Sequence, residues 1–188
     1  METVVIGKTP IGATVHMDRN AHESNGVIVV GRIKNHTGFR APIESGLCKM
    51  MAIGLGKQKG AESIHAHGLA QNIPDAARIM IATGKIILGV GTVENAYHKT
   101  YKVIATLPEG IHDADREWLL VANRLMPRLP FNDLDVLVVD RVGKNISGSG
   151  KAFNFSGIWR GTGPPPFTPT DHRVRWRQTR VRGPVSDK

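Results

Sequence analysis

Gly26-Val27-Ile28-Val29-Val30-Gly31-Arg32-Ile33 is the stretch whose reading decides the fold. It is a short, nearly continuous β-branched run with no polar alternation. That pattern suits a strand covered on both faces, the kind found in parallel sheets. A second such run, KIILGVGTV at 85–93, and a third, YKVIATL at 101–107, follow downstream. LDVLVVD at 134–140 is the strongest strand pattern, and residues 3–6 form another short apolar run. Helical patterns lie between them. Residues 18–25 are polar, with Asn20 placed to cap one helical turn. Residues 43–52 carry Ile43, Leu47, Met50 and Met51 at amphipathic spacing. Gly54 and Gly56 interrupt that helix, and residues 60–66 read as a second. Residues 73–84 read as a third, with Pro74 in its first turn and Gly84 at its stop. Residues 113–125 read as a fourth, capped by Asp113, with Leu119, Leu120, Ala122 and Leu125 as its buried stripe. Strands alternating with helices predict an α/β fold: a mostly parallel sheet flanked by helices.

Composition sets the outer limits. The 188 residues suit one domain with a small appendage, and 40% apolar content against 22% charged excludes wholesale disorder. The single cysteine, Cys48, excludes an internal disulfide framework and a cysteine-built zinc site. No apolar run reaches the roughly 18–20 residues of a membrane helix, and no signal-peptide pattern opens the chain. The expected compartment is the cytoplasm. A net charge of +9 suggests nucleic acid until its placement is read. Residues 151–188 hold eight Lys/Arg and two Asp/Glu, so +6 lies in this Pro/Arg-rich tail and +3 in everything before it. The expected organisation is an α/β domain over 1–143, a Gly/Ser junction (KNISGSG) over 144–150, and an irregular basic carboxy-terminal tail over 151–188.

Several motifs carry no chemistry. Gly7-Lys8-Thr9 ends like a phosphate-binding loop, yet Glu2 stands where the loop needs glycine. Gly89-Val90-Gly91 lacks the third glycine of a dinucleotide fingerprint, and Asn145-Ile146-Ser147 is a sequon without meaning in a cytoplasmic chain. Among eight histidines, His36 stands out because it follows a strand end, where open α/β sheets gather ligands and catalytic groups. Lys49 lies inside an apolar helix, beside Cys48 and Met50. A desolvated lysine there is nucleophilic, and a lysine snorkelling at the helix edge is the plainer alternative. His65 and His67 form a His-x-His pair that would point about 200° apart on one helix, so at most one faces a given site. Cys48 reads as a small core residue more readily than a soft ligand. The stretch from Gly54 to Gly60, with Lys57 and Lys59, reads equally as a phosphate cradle or a glycine-rich turn.

Residues 31–68, GRIKNHTGFRAPIESGLCKMMAIGLGKQKGAESIHAHG, resemble the amino-terminal domain of the nickel-pincer lactate racemase family. Three features carry the resemblance: His36 after a strand, Lys49 after the Ser45-Gly46 pair, and His65 sixteen residues later. Asn35 stands where the family usually has proline. The similarity runs from about Asp18 to Gly150. It implies that Lys49 carries the cofactor, a pyridinium mononucleotide with sulfur donors, through a covalent thioamide. It implies that His65 is the protein ligand to nickel, with a hydrogen-bond acceptor on its other ring nitrogen fixing its tautomer. His36 would then be the general base that takes the 2-hydroxyl proton as hydride leaves a small 2-hydroxy acid. Return of hydride to the other face would invert the carbon. The implied partners are that substrate and cofactor-biosynthesis enzymes, with no membrane or nucleic acid. Racemisation also needs an acid/base on the second face, which the family supplies from sequence upstream of the position matching Met1. The chain therefore reads as a central fragment of a larger enzyme, and Lys151-Ala152-Phe153-Asn154 onward as a tail in a shifted frame. The rival expectation is a nucleic-acid-binding protein using RVRWRQTRVR, with Trp176 stacking on a base. An inactive fragment is a third, which would expose apolar surface where a second domain docks.

Overall fold

A computed structural model describes residues 2–127. The expected strand at 134–140, the junction at 144–150 and the tail at 151–188 lie outside the described residues. The order is β1 (Thr3–Lys8), β2 (Thr14–Asp18), α1 (Arg19–Glu23), β3 (Val27–Arg32), α2 (Leu47–Lys49), a π-helical segment (Met50–Leu55), α3 (Lys57–His67), α4 (Leu69–Ala82), β4 (Ile86–Glu94), β5 (Thr100–Thr106), a 3-10 turn (Pro108–Gly110) and α5 (Ile111–Leu125).

The described residues form a mixed α/β structure with two small sheets, which corrects the mostly parallel sheet read from sequence. β1 and β2 make an antiparallel hairpin. β3, β4 and β5 make the second sheet in that order, with β3 parallel to β4 and β4 antiparallel to β5. The reason is connection length. Between β3 and β4 the chain has room for a long helical crossover, whereas only five residues separate Glu94 from Thr100, and a parallel return needs a dozen or more. Asn95 closes that hairpin by accepting the N–H groups of Tyr97 and Lys99 on its side-chain oxygen. β2 was not among the strands expected, although Val15 and Met17 are buried in alternation with half-buried neighbours.

One face of the three-stranded sheet is covered. Leu47 of α2 and Ile111 of α5 pack on Gly89, where an added Cβ would lie 2.9 and 3.0 Å from their side chains. Leu119 and Ala122 of α5 join Ile33 and Val93 in a second apolar cluster. The larger core lies among β2, the π-helical segment, α3 and α4, around Met17, Met51, Ile64, Ile73 and Met80. On the other face of the sheet, Ile28, Val30, Tyr101 and Val103 are exposed among the described residues. No described helix is long and apolar enough to cross a membrane.

Helix boundaries differ from expectation where tertiary partners act. α1 is capped by Asp18 rather than Asn20: the Asp18 carboxylate accepts the Ala21 N–H at 3.1 Å, and Asn20 is already inside the turn. The helix expected from residue 43 starts only at Leu47, because Ser45 pairs with Lys34 in an isolated antiparallel bridge. α4 starts at Leu69, so Pro74 lies inside it rather than in its first turn. Gly68, with φ of 92°, makes the corner from α3, a conformation that favours glycine. α5 starts at Ile111 with Gly110 in the cap position expected of Asp113. Leu120 is 59% exposed, and the buried stripe is instead Ile111, Ala114, Asp115, Leu119 and Ala122.

Candidate functional site

His36 lies beyond the carboxyl end of β3, near enough to Lys49 and His65 for the charges of both to act on it. His36 sits in the loop between β3 and α2, and nearly every polar atom it has is tied. Its backbone N–H donates to Glu44 Oε2 at 2.6 Å, and its carbonyl accepts from the Arg40 guanidinium. Its ring lies 4.4 Å from that of Phe39, tilted by 34°. Nδ1 accepts the Gly38 N–H at 2.9 Å, so the neutral ring carries its proton on Nε2. Burial, followed by the charges of Lys49, Arg40, His65 and Lys34, pulls the His36 pKa down to about 4. The ring is therefore neutral at neutral pH.

Glu44 holds this loop together and was not singled out by sequence reasoning. Besides the His36 N–H, its carboxylate accepts the Ala41 N–H at 3.3 Å and pairs with Arg40 at 3.3 Å. Burial raises its pKa, and these hydrogen bonds and the Arg40 charge oppose the rise. Asn35 is also buried. Its amide N–H donates to the Asn123 side chain, while its own Oδ1 has no partner among the described residues.

Lys49 ends the short helix α2, and that helix is fixed from a distance. Asp115, 2% exposed, accepts the N–H groups of Leu47 at 2.9 Å and Cys48 at 2.8 Å. These are the first helical donors, which have no partner inside the helix. Gly46 makes the approach possible: a Cβ there would lie 2.2 Å from Asp115 Oδ1. Gly46 in the Ser-Gly pair before Lys49 thus has a physical reason. The sequence held a signal for Asp115, because its four-residue spacing from Ile111 and Leu119 puts it on the buried face of α5. Lys49 itself is half-buried and its Nζ donates to Ser45 Oγ at 3.4 Å. Burial, and after it the charge of Lys34, lowers its pKa. Cys48 is fully buried, and its thiol is pushed far up, first by burial and then by the Asp115 charge, which suits a core residue rather than a ligand.

His65 lies on α3, exposed, with Nδ1 2.6 Å from the Ala61 carbonyl. A carbonyl only accepts, so Nδ1 carries the proton and Nε2 presents a lone pair. That is the tautomer a metal ligand needs, with its outer acceptor in place. His67 makes the same bond to Ser63 at 2.8 Å, but its ring lies by the β1–β2 turn, about a van der Waals contact from Gly12. The two histidines serve different faces of the helix. No group of three or more His, Cys, Asp or Glu gathers among the described residues. The phosphate cradle considered for Gly54 to Gly60 is not a loop: the π-helical segment runs into α3, and Lys57 pairs with Asp18 at 3.6 Å.

Neither a family model nor a curated protein matches the chain. Among solved structures it is similar to the lactate racemase apoprotein from Thermoanaerobacterium thermosaccharolyticum, with a TM-score of 0.46 and 18% identity. The likeness covers 62% of this chain and 30% of that one, so the chain spans under a third of that protein's length.

Proposed function

We propose that the chain contributes to a racemase or epimerase of a small 2-hydroxy acid that works with a lysine-tethered nickel-pincer nucleotide. One observation carries the reading. The charges of Lys49 and His65, two of the residues the resemblance implies, both act on the third, His36, and each of the three is in a state suited to its implied task. Lys49 offers a half-buried amine whose pKa is lowered, the condition for covalent attachment. His65 offers an Nε2 lone pair for nickel. His36 is neutral at working pH and would handle the proton of the substrate's 2-hydroxyl. When bound, the nucleotide would supply the hydride acceptor. Lys34 and Arg40 lend the surroundings positive charge, which favours an anionic carboxylate substrate.

His36 carries one condition. Its resting tautomer donates from Nε2, the form that holds the oxygen of a 2-oxo acid. Accepting a proton at Nε2 requires the ring to release Gly38 and carry its hydrogen on Nδ1. The resemblance implies that the second acid/base comes from sequence upstream of the position matching Met1. Cofactor-biosynthesis enzymes are the partners this reading requires.

Co-expression with those enzymes tests it. Intact mass should show an adduct on Lys49 and metal analysis should show nickel. Lys49→Ala should abolish the adduct, whereas His65→Ala should lower nickel and leave attachment intact. Neither adduct nor nickel in the unaltered chain would overturn the proposal.

A further inference from the structure

We propose that Lys34 is a positioning residue for Lys49: the Lys34–Ser45 bridge sets a second ammonium beside the Lys49 amine and makes that amine a nucleophile toward acyl groups near neutral pH. The inference builds on the assignment of Lys49 as an attachment point. Its test reads the amine alone, so it can fail while that assignment stands.

The geometry starts in the backbone. Lys34 and Ser45 exchange both main-chain hydrogen bonds, Lys34 N–H to the Ser45 carbonyl at 2.9 Å and Ser45 N–H to the Lys34 carbonyl at 3.2 Å. In such an antiparallel pair the two Cα atoms lie about 5.5 Å apart and both side chains leave on the same side. The Ser45 side chain on that side accepts the Lys49 amine, one helical turn later, at 3.4 Å. Lys34 therefore leaves the backbone on the side where Lys49 ends, and Ser45 Oγ holds the amine there.

The nearby carboxylates are committed elsewhere. Glu44 is bound to Arg40 and to the N–H groups of His36 and Ala41. Asp115 is bound to the N–H groups of Leu47 and Cys48. The remaining ionisable neighbours, His36, Arg40 and His65, are neutral or cationic groups gathered with Lys49 around the same loop. Glu94 acts on Lys34 but is bound to Arg32, whose charge opposes it. Two ammonium groups held near each other, with no shared counter-ion among the described residues, favour loss of a proton from the more buried one. Lys49 is that one, half-buried where Lys34 is exposed. Burial and the Lys34 charge are the two influences that lower its pKa.

The chemistry is acyl capture. The Lys49 lone pair forms a C–N bond to the carbonyl carbon of an activated acyl group. The bond to the leaving group breaks and its electron pair departs with that group. The surplus amine proton passes to solvent.

The experiment treats the full chain with a limiting amount of the N-hydroxysuccinimide ester of acetic acid across a pH series. Acetylation of Lys49 is read by peptide mass spectrometry against the exposed Lys99 in the same molecule. Lys34→Gln should raise the Lys49 midpoint by about half a pH unit or more and slow its labelling near neutral pH about threefold. Lys34→Arg keeps the charge and should keep both values. Lys34 is exposed, so thermal unfolding of each variant should match the unaltered chain. An unchanged Lys49 midpoint in Lys34→Gln would overturn the inference, because a role in access or folding alone moves rate and not midpoint. Equal loss in Lys34→Arg and Lys34→Gln would overturn it as well.

Discussion

Replacing Asp115 with alanine removes the acceptor of two buried N–H groups at once, those of Leu47 and Cys48. Each buried donor left unsatisfied costs about 1–3 kcal/mol. Part of that loss is returned, because burial already raises the Asp115 pKa and its charge is held at some cost. A net loss of about 3 kcal/mol follows, which for a chain of this size lowers Tm by about 6–12 °C. Gly46→Ala attacks the same contact from the other side. The new methyl would sit 2.2, 2.7 and 2.8 Å from three atoms of the Asp115 carboxylate, so helix α2 or the carboxylate must move. Gly46 has φ of 175°, ordinary extended backbone, so the cost is the collision and not strain in the chain. The double variant Gly46→Ala/Asp115→Ala removes the obstacle. It should be no less stable than Asp115→Ala alone, giving a coupling of about 2 kcal/mol in a double-mutant cycle. Chemical denaturation of the four proteins measures this. Additive losses would show that Gly46 is needed for something other than the carboxylate, and the account of how Lys49 is positioned would be wrong.

Other expectations are simpler to read. The His36 ring should titrate near pH 4 by NMR, well below the ordinary value of 6.5, and a midpoint near 6.5 would refute the enclosed, cation-ringed setting. The linked stability is present in full above about pH 6.5 and is lost as pH falls toward about 4, because the unfolded chain takes the proton first. Screening by solvent reduces it to about 1–2 kcal/mol. Glu44 and Asp115, with raised pKa values, pull the other way on acidification, so the ring's own resonance is the cleaner measure. Cys48 should resist thiol reagents until the fold opens, and its labelling rate should follow the rate or extent of unfolding. Gly89→Val should cost about 1–3 kcal/mol by driving a side chain into Leu47 and Ile111, and an unchanged denaturation midpoint would contradict the close packing of α2 and α5 on β4.

What the amino-acid order determined by itself was local. The β-branched runs at β3, β4 and β5 lie within a residue or two of the strands observed, because side-chain bulk acts on the neighbouring backbone. The pattern from Ser45-Gly46 to Lys49 and on to His65 carried the resemblance that singled out these residues with His36. The tautomer of His65 was also accessible in principle, since its acceptor is the carbonyl four residues earlier on the same helix. Tertiary structure decided the remainder. The sheet is mixed because a five-residue connection cannot carry a strand across to a parallel return. α2 begins at Leu47 because Asp115, 68 residues away from it, supplies the carboxylate that its first donors require. Lys34 stands beside Lys49 only because a backbone bridge to Ser45 folds the loop back on itself. The chemical states of His36 and Lys49 depend on burial and on charges brought in from other segments, which no periodicity along the chain encodes.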